Sequence, residues 1–436
     1  MRSSDYNAIS MVHSKTPDRR LIASAAVLMQ VCLGIIYSWA VFRAPLSQLY
    51  GWDKTVTIAP YRWSILFFTI AMVIAGFWQD RKGPRLVGTV GGILLGSGCL
   101  LASWIGNTPA GLIFSYGVIG GTGVGFAYVT PIATCIKWFP DKRGLLVGLA
   151  VMGFGVGSLL FAPLLESMIG ADPGKLALTI PRTFLFLSAV FFIFVTGAAQ
   201  FFRVPPAGWK PEGWIPPATQ STAASHFPPM QMLATPHFYV LWILYFLGTS
   251  VGLTVIGEAA PLVKELSGSS ALLSGGAALG VMSLFNGVGR LFWGASSDRA
   301  GRKPVLMAMC ILSVFACGLI LPGASTFLPV LAGICVVGFC YGGYLAIMPS
   351  VTADYFGSTH IGANYGILFS AWGAAGFLVP GYFASIIQTA KSRGDIAGGY
   401  NQVFYSLAAV SIAGLLVTFV TRRPSRKQPA EPGASA

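Results

Sequence analysis

Between residues 21 and 421 the chain is a succession of long apolar runs separated by polar breaks, near 21–45, 58–78, 86–105, 111–136, 144–168, 180–202, 237–263, 272–296, 304–323, 326–352, 361–389 and 402–421. Each reaches the roughly 18 residues at which a helix can cross a hydrocarbon layer. The pattern predicts an all-α membrane protein with twelve transmembrane helices. One break is longer than the rest. Residues 203–236, RVPPAGWKPEGWIPPATQSTAASHFPPMQMLATP, carry many prolines, two Gly-Trp pairs and a Ser/Thr/Ala run, and read as a cytoplasmic linker. The organisation expected is a six-helix bundle over 1–202, the linker over 203–236, a second six-helix bundle over 237–421 and a cytoplasmic tail over 422–436.

The two bundles echo one another. GFWQDRKGPR (76–85) and GASSDRAGRK (294–303) share a Gly, then Asp-Arg four residues on, then a second Gly and a basic end. Asp80 and Asp298 stand 218 positions apart, as do Pro131 and Pro349. Two parallel six-span repeats follow, with any central site at the interface between them. The phrase falls in a short turn between helices. There the acid can cap a neighbouring helix and the arginines can hold the cytoplasmic ends together, which makes Asp80, Arg81, Arg85, Asp298, Arg299 and Arg302 candidates for a conformational gate.

Composition supports a membrane setting, with 54% hydrophobic and only 10% charged residues against about 25% charged in soluble domains. The net charge of +14 is placed by position: basic residues follow every second span, at Arg81, Lys82 and Arg85, at Lys142 and Arg143, and at Arg299, Arg302 and Lys303. Arg2, Lys15, Arg19 and Arg20 precede the first span, and Arg422, Arg423, Arg426 and Lys427 follow the last. By the positive-inside rule both termini are expected in the cytoplasm, and the charge reports topology rather than a nucleic-acid partner. No short apolar run ending at a cleavage site opens the chain, so no cleaved signal peptide is expected. Seven cysteines fall inside spans and read as packing residues. GTGVG (121–125) and GFGVG (153–157) lack the strand before and the acid after that a dinucleotide fingerprint needs. No Walker motif or HExxH occurs, and His13, His226, His237 and His360 lie in loops or at span ends. No cofactor, metal or enzymatic chemistry is expected.

One cation interrupts the eighth run. A guanidinium at mid-helix depth costs at least about 2.5–3.5 kcal/mol on insertion scales, so Arg290 should face a watery cavity or an anion, and its fork of donors suits a carboxylate. Asn286 lies one turn earlier on the same face. The alternative is a structural ion pair, for which Glu258 is the acid within reach.

The repeated phrase, twelve spans and long central loop resemble the major facilitator superfamily. Within it GIIYSWAVFRAPL (34–46), KWFPDKRGLLVGLAVMGFGVG (137–157), PPAGWKPEGW (205–214), SLFNGVGRLFWGASSD (283–298) and NYGILFSAWG (364–373) resemble the oxalate/formate antiporter branch and its monocarboxylate-transporter relatives. Similarity to a bacterial lactate-type monocarboxylate transporter implies the facilitator fold, and a role for Arg290 in binding the substrate carboxylate. Two departures matter. Oxalate exchangers carry a lysine in the eleventh span where this chain has Trp372, and a single cation favours a substrate with one carboxylate. Eukaryotic monocarboxylate transporters have an aspartate where this chain has Asn286, and a first-span lysine that it lacks.

The expected substrate-binding set is therefore Arg290 and Asn286 with Tyr37, Tyr128, Tyr341, Tyr344 and Tyr365, which fall in spans that line the interface between halves in this fold. Glu258 is the proton-coupling candidate, since an acid in a dry outer vestibule can trade protons as access changes; the proton can instead travel with the carboxylate. The function expected is proton-coupled monocarboxylate transport by a monomer in a bacterial inner membrane. An organic-anion exchanger is the alternative, and a non-transporting membrane sensor is disfavoured by the lack of an appended signalling domain.

Overall fold

A computed structural model of the protein describes residues 18–170, 172–206, 209–215, 226–267, 275–422 and 424. The middle of the linker (216–225), His13, Arg2 and Lys15, and Arg423, Arg426 and Lys427 of the tail lie outside the described residues.

Twelve long helices run through them: α1 (Arg19–Tyr50), α2 (Lys54–Lys82), α3 (Pro84–Ile105), α4 (Pro109–Trp138), α5 (Arg143–Ile169), α6 (Pro173–Ala199), α7 (Pro236–Ser267), α8 (Gly275–Ala300), α9 (Arg302–Ile320), α10 (Phe327–Phe356), α11 (Ile361–Ser392) and α12 (Ile396–Val420). Eleven are long and apolar enough to cross a membrane. The twelfth, α8, is diluted by Asn286, Arg290, Asp298 and Arg299, the residues that make it of chemical interest.

Local signals set the helix ends. Asp53 accepts from the N–H groups of Thr55 and Val56 to start α2, both at 2.8 Å, and Asp395 accepts from Gly398 to start α12; each satisfies donors that a helix leaves free at its start. Gly83 and Gly301 take positive φ (+85° and +91°) at the α2–α3 and α8–α9 turns, where a side chain would be strained. The second glycine of the repeated phrase is thus a turn residue.

Large apolar side chains such as Trp104, Leu319 and Tyr382 point outward, while glycine and alanine fill the helix contacts, the distribution that lipid rather than water outside the bundle favours. The first six helices meet the last six mainly along two seams, α2 against α11 and α5 against α8, with α5 also reaching α10. Each seam is a close approach of glycine backbones. A Cβ on Gly76 would lie 2.1 Å from the Gly362 carbonyl, and one on Gly294 would lie 2.3 Å from the Gly144 carbonyl. Both pairs obey the 218-residue offset, so the seams are copies of each other. The first glycine of the repeated phrase is what allows backbone contact.

Candidate substrate site and gate

The α5–α8 seam brings Arg290 to the centre of the protein. Its side chain is 0% exposed. Asn286, one helical turn back, accepts from Nε at 3.0 Å, and the main-chain carbonyl of Val151 on α5 accepts from Nη1 at 2.6 Å. Nη2 is buried with no hydrogen-bond partner. Among the described residues no carboxylate pairs with this guanidinium; an uncompensated buried cation is costly and calls for an anionic partner. The ion pair with Glu258 considered from the sequence does not form. Glu258 is half-buried on α7, and the charges that act on it are Lys391 and Glu265, which themselves pair at 2.6 Å.

Aromatic rings enclose the guanidinium. Phe154 of α5 lies with its ring centre 5.9 Å from Cζ, close enough for a cation–π contribution. Tyr37, Tyr128, Tyr341 and Tyr365, from α1, α4, α10 and α11, stand near enough to feel its charge. Trp372 donates from Nε1 to the Tyr341 hydroxyl at 2.8 Å and stacks on Phe369, centroids 4.9 Å apart. Phe68 packs against Tyr128, Phe369 and Trp372. The cage offers one cation, an amide, several hydroxyls and an otherwise apolar wall, a composition suited to a small anion with an apolar remainder.

Tyr344 does not join the cage. Three residues beyond Tyr341, α10 has turned it into its own half, where its hydroxyl meets Cys310 Sγ at 3.1 Å and its ring fills the slot left by Gly248. Phe154, Phe68, Phe369 and the Val151 carbonyl belong to the cage and were missed. The signal for Phe154 was available: it stands 218 positions before Trp372, and the two rings occupy equivalent places in the two repeats.

At the end of the bundle that carries the basic turns, each acid of the repeated phrase crosses to the opposite half. Asp80 accepts from the N–H groups of Gly362 (3.3 Å) and Ala363 (2.8 Å) in the first turn of α11, and pairs with Lys137 at 3.3 Å. Asp298 accepts from Gly144 (2.9 Å) and Leu145 (2.8 Å) in the first turn of α5, and pairs with Arg302 at 2.7 Å. Asp354 joins Arg302 (2.9 Å) to Arg143 (3.0 Å) across the halves. A carboxylate at a helix amino terminus interacts with the helix dipole as well as with free N–H groups.

The arginines of the phrase behave unequally. Arg302 works within this network, but Arg81 and Arg299 point to solvent, and Arg85 donates to Gln200 inside its own half at 2.7 Å. Side chains that immediately follow the capping acid face away from the seam. Lys137, Arg143 and Arg302 supply the positive charges of the network, with Asp354 as the acid that joins the last two; Arg81, Arg85 and Arg299, expected from the sequence to do so, take no part.

Among the described residues no cluster of metal-binding side chains occurs. The model of the Major Facilitator Superfamily matches residues 21–380 and 276–435. The chain is 29% identical over 416 residues to an oxalate:formate antiporter of Oxalobacter formigenes, covering 92% of this chain and 91% of that protein. It is 28% identical over 357 residues to apicoplast pyruvate carrier 1 of Toxoplasma gondii, covering 70% and 64%. The proton:xylose symporter XylE superposes with a TM-score of 0.72 at 13% identity, over 92% of this chain and 96% of that one, a likeness of fold.

Proposed function

The chain belongs to the major facilitator superfamily, a family of membrane transporters, and from that premise we propose that it carries small monocarboxylates such as L-lactate, together with a proton, by alternating access. The observation that carries the reading is Arg290: fully buried, without an acidic partner among the described residues, and with Nη2 unbonded. A substrate carboxylate supplies the missing charge and the missing acceptor. Asn286 holds the guanidinium from one side, and Tyr37, Tyr128, Tyr341 and Tyr365 offer hydroxyls to the rest of the molecule. The single cation favours one carboxylate over two, and Trp372 with Phe369 gives the remaining substrate atoms an apolar wall.

Two related carriers, named for oxalate and formate and for pyruvate, fit the same class of cargo. Movement of a carboxylate with a proton is electroneutral and avoids work of about 2.3 kcal/mol per charge per 100 mV. We assign no dedicated acid to the proton within the cage; Glu258 sits beside Lys391 and Glu265, and the simpler route keeps the proton among carboxylate, Arg290 and water. In this reading Asp80, Asp298, Asp354, Arg302, Arg143 and Lys137 form the gate on the cytoplasmic face, the two six-helix halves rock about the cage, and the protein works as a monomer in a bacterial inner membrane with both termini inside.

The sister reading is an organic-anion exchanger, favoured by the relationship to the oxalate:formate antiporter. The test is entry of labelled L-lactate into proteoliposomes under an inward proton gradient, with and without unlabelled lactate or oxalate inside. Accumulation driven by the gradient alone and abolished by a protonophore is expected. Entry only into preloaded vesicles would replace symport by exchange.

A further inference from the structure

The gate network needs the first turn of α11 in one place, and the linker between the halves holds it there. The end of the linker docks on the α10–α11 turn. The Phe227 N–H donates to the Phe356 carbonyl at 3.0 Å, and the Phe227 carbonyl accepts from the Asn364 side-chain amide at 3.0 Å. The Phe227 ring meets Phe356 edge-on at 5.8 Å. His226 Nδ1 shares a hydrogen bond with Thr359 Oγ1 at 2.8 Å. Gly357, at φ +82°, completes the fit, since a Cβ there would stand 2.7 Å from His226 Nδ1. The chain then enters a one-turn helix, Pro229–Leu233, whose Met232 is fully buried, and runs within three residues into α7.

Gly362, Ala363 and Asn364 are consecutive. The first two present their N–H groups to Asp80 of the opposite half. The third, fully buried and turned about 100° further around the helix, holds the linker. One helical turn is therefore gripped from two sides, by the opposing half through its gate acid and by the linker through its main chain.

We infer that His226, Phe227, Thr359 and Asn364 are positioning residues of the gate: they hold the α10–α11 turn so that the Gly362 and Ala363 N–H groups face Asp80. The inference rests on the reading of Asp80 as a gate. The contacts of these four side chains lie at the α10–α11 turn and not with Arg290, so they set how readily the basic face opens and leave substrate affinity in the closed state unchanged. A clasp of this kind gives the linker a second use besides joining the halves. Its pull, or its release by anything that binds it, is transmitted to the gate through one turn of helix.

The test is a double-mutant cycle read by spin-label distances. Lys82 and Ala300, exposed at equivalent ends of the two repeats, carry the labels as K82C and A300C, and the population at long distance reports opening of the basic face. Asn364→Ala is expected to raise the open-to-closed ratio about 2- to 10-fold, the effect of one buried hydrogen bond, and Phe227→Ala, which keeps the main-chain bonds but removes the ring packed edge-on against Phe356, moves it in the same direction. Thr359→Val, a lighter change in an exposed turn, moves it the same way by less. Asp80→Asn raises the ratio by itself, and adding Asn364→Ala to it then changes nothing more. An Asn364→Ala effect that persists undiminished in the Asp80→Asn background overturns the inference, as does an unchanged ratio in Asn364→Ala and Thr359→Val while Asp80→Asn shifts it. If Asp80→Asn itself shifts nothing, the gate reading fails, and the clasp with it.

Discussion

Replacing Arg290 by methionine separates a cation kept for a ligand from one kept for the fold. Methionine spans a similar length and has no charge. Its removal of a buried guanidinium recovers about 2.5–3.5 kcal/mol of insertion cost. Against this stand the hydrogen bonds to Asn286 Oδ1 (3.0 Å) and the Val151 carbonyl (2.6 Å), each worth about 1.5–3 kcal/mol when a charged group takes part. Together the two bonds outweigh the recovered cost by up to about 3.5 kcal/mol and at the least fall about 0.5 kcal/mol short of it, so the variant should be less stable than the parent by about 1–2 kcal/mol. A structural arginine paired to a buried acid would behave otherwise, with breakage costing about 3–5 kcal/mol.

Binding has no such compensation. Truncating one partner of a buried charge pair costs about 2–5 kcal/mol, so L-lactate affinity should fall about 30- to 5,000-fold. The assay is a titration of tryptophan fluorescence in purified protein, where Trp372 lines the cage, run beside thermal unfolding. Lactamide, isosteric with lactate but uncharged, serves as the control ligand and should bind parent and variant alike. An R290M variant that keeps lactate affinity within threefold of the parent would refute the assignment of Arg290 to the carboxylate.

Other changes follow from the same geometry. Trp372→Lys places a second cation beside Tyr341 and should let oxalate compete with lactate uptake at concentrations the parent ignores; the half-inhibitory concentration of oxalate measures it. Gly76→Ala and Gly294→Ala each drive a methyl group into a carbonyl across a seam, at 2.1 and 2.3 Å. Each should cost about 1–3 kcal/mol of overpacking, paid by the closed basic face, and the spin-label distance should lengthen to a similar extent in both.

Protonation should loosen the clasp. Burial, and the neighbouring His360, hold the His226 imidazole below its ordinary pKa, so the docked state favours neutral His226. Its contribution is complete above the ordinary value of about 6.5 and is lost as pH falls through the lowered one. The open-to-closed ratio should therefore rise between pH 7.5 and 5.5. His226→Gln should flatten that rise; an equal pH response in this variant removes His226 as its cause.

Much of this arrangement is legible along the chain because membrane helices leave few options. Apolar length places the spans, and the 218-residue offset foretells that Asp80 and Asp298 have one job in two copies. Arg290 and Asn286 are readable as a pair because four residues of helix bring them to one face. What the sequence hides is the partner across the seam. Val151 contributes a carbonyl, which no residue type advertises. Tyr344 misleads because mid-span depth says how far a side chain lies from the surface, while helix rotation decides which neighbour it meets. Arg81 and Arg299 mislead for the same reason, since adjacency to the capping acid turns them out of the contact the acid makes. Arg143, reckoned only as topological charge, and Lys137, noted only within the phrase KWFPDKRGLLVGLAVMGFGVG, reach the network because they begin and end helices at the face where the acids cross.

The acceptor that holds Arg290 from α5 belongs to the main chain, and a main chain has no allele. Any residue that keeps α5 helical at position 151 presents the same oxygen, so drift at that position cannot retune the resting place of the guanidinium. Only displacement of the whole helix can. Parting of α5 from α8 is the motion that rocking halves require, and it takes the Val151 oxygen away from Nη1. The cation then has only neutral side chains beside it, Asn286 and the Tyr37 hydroxyl, to replace what it loses, unless an anion or water arrives. In the proposed cycle a carboxylate cargo neutralises it and eases the return stroke, while an unloaded carrier bears the exposed charge, so side chains around this contact can vary without losing the dependence of motion on freight.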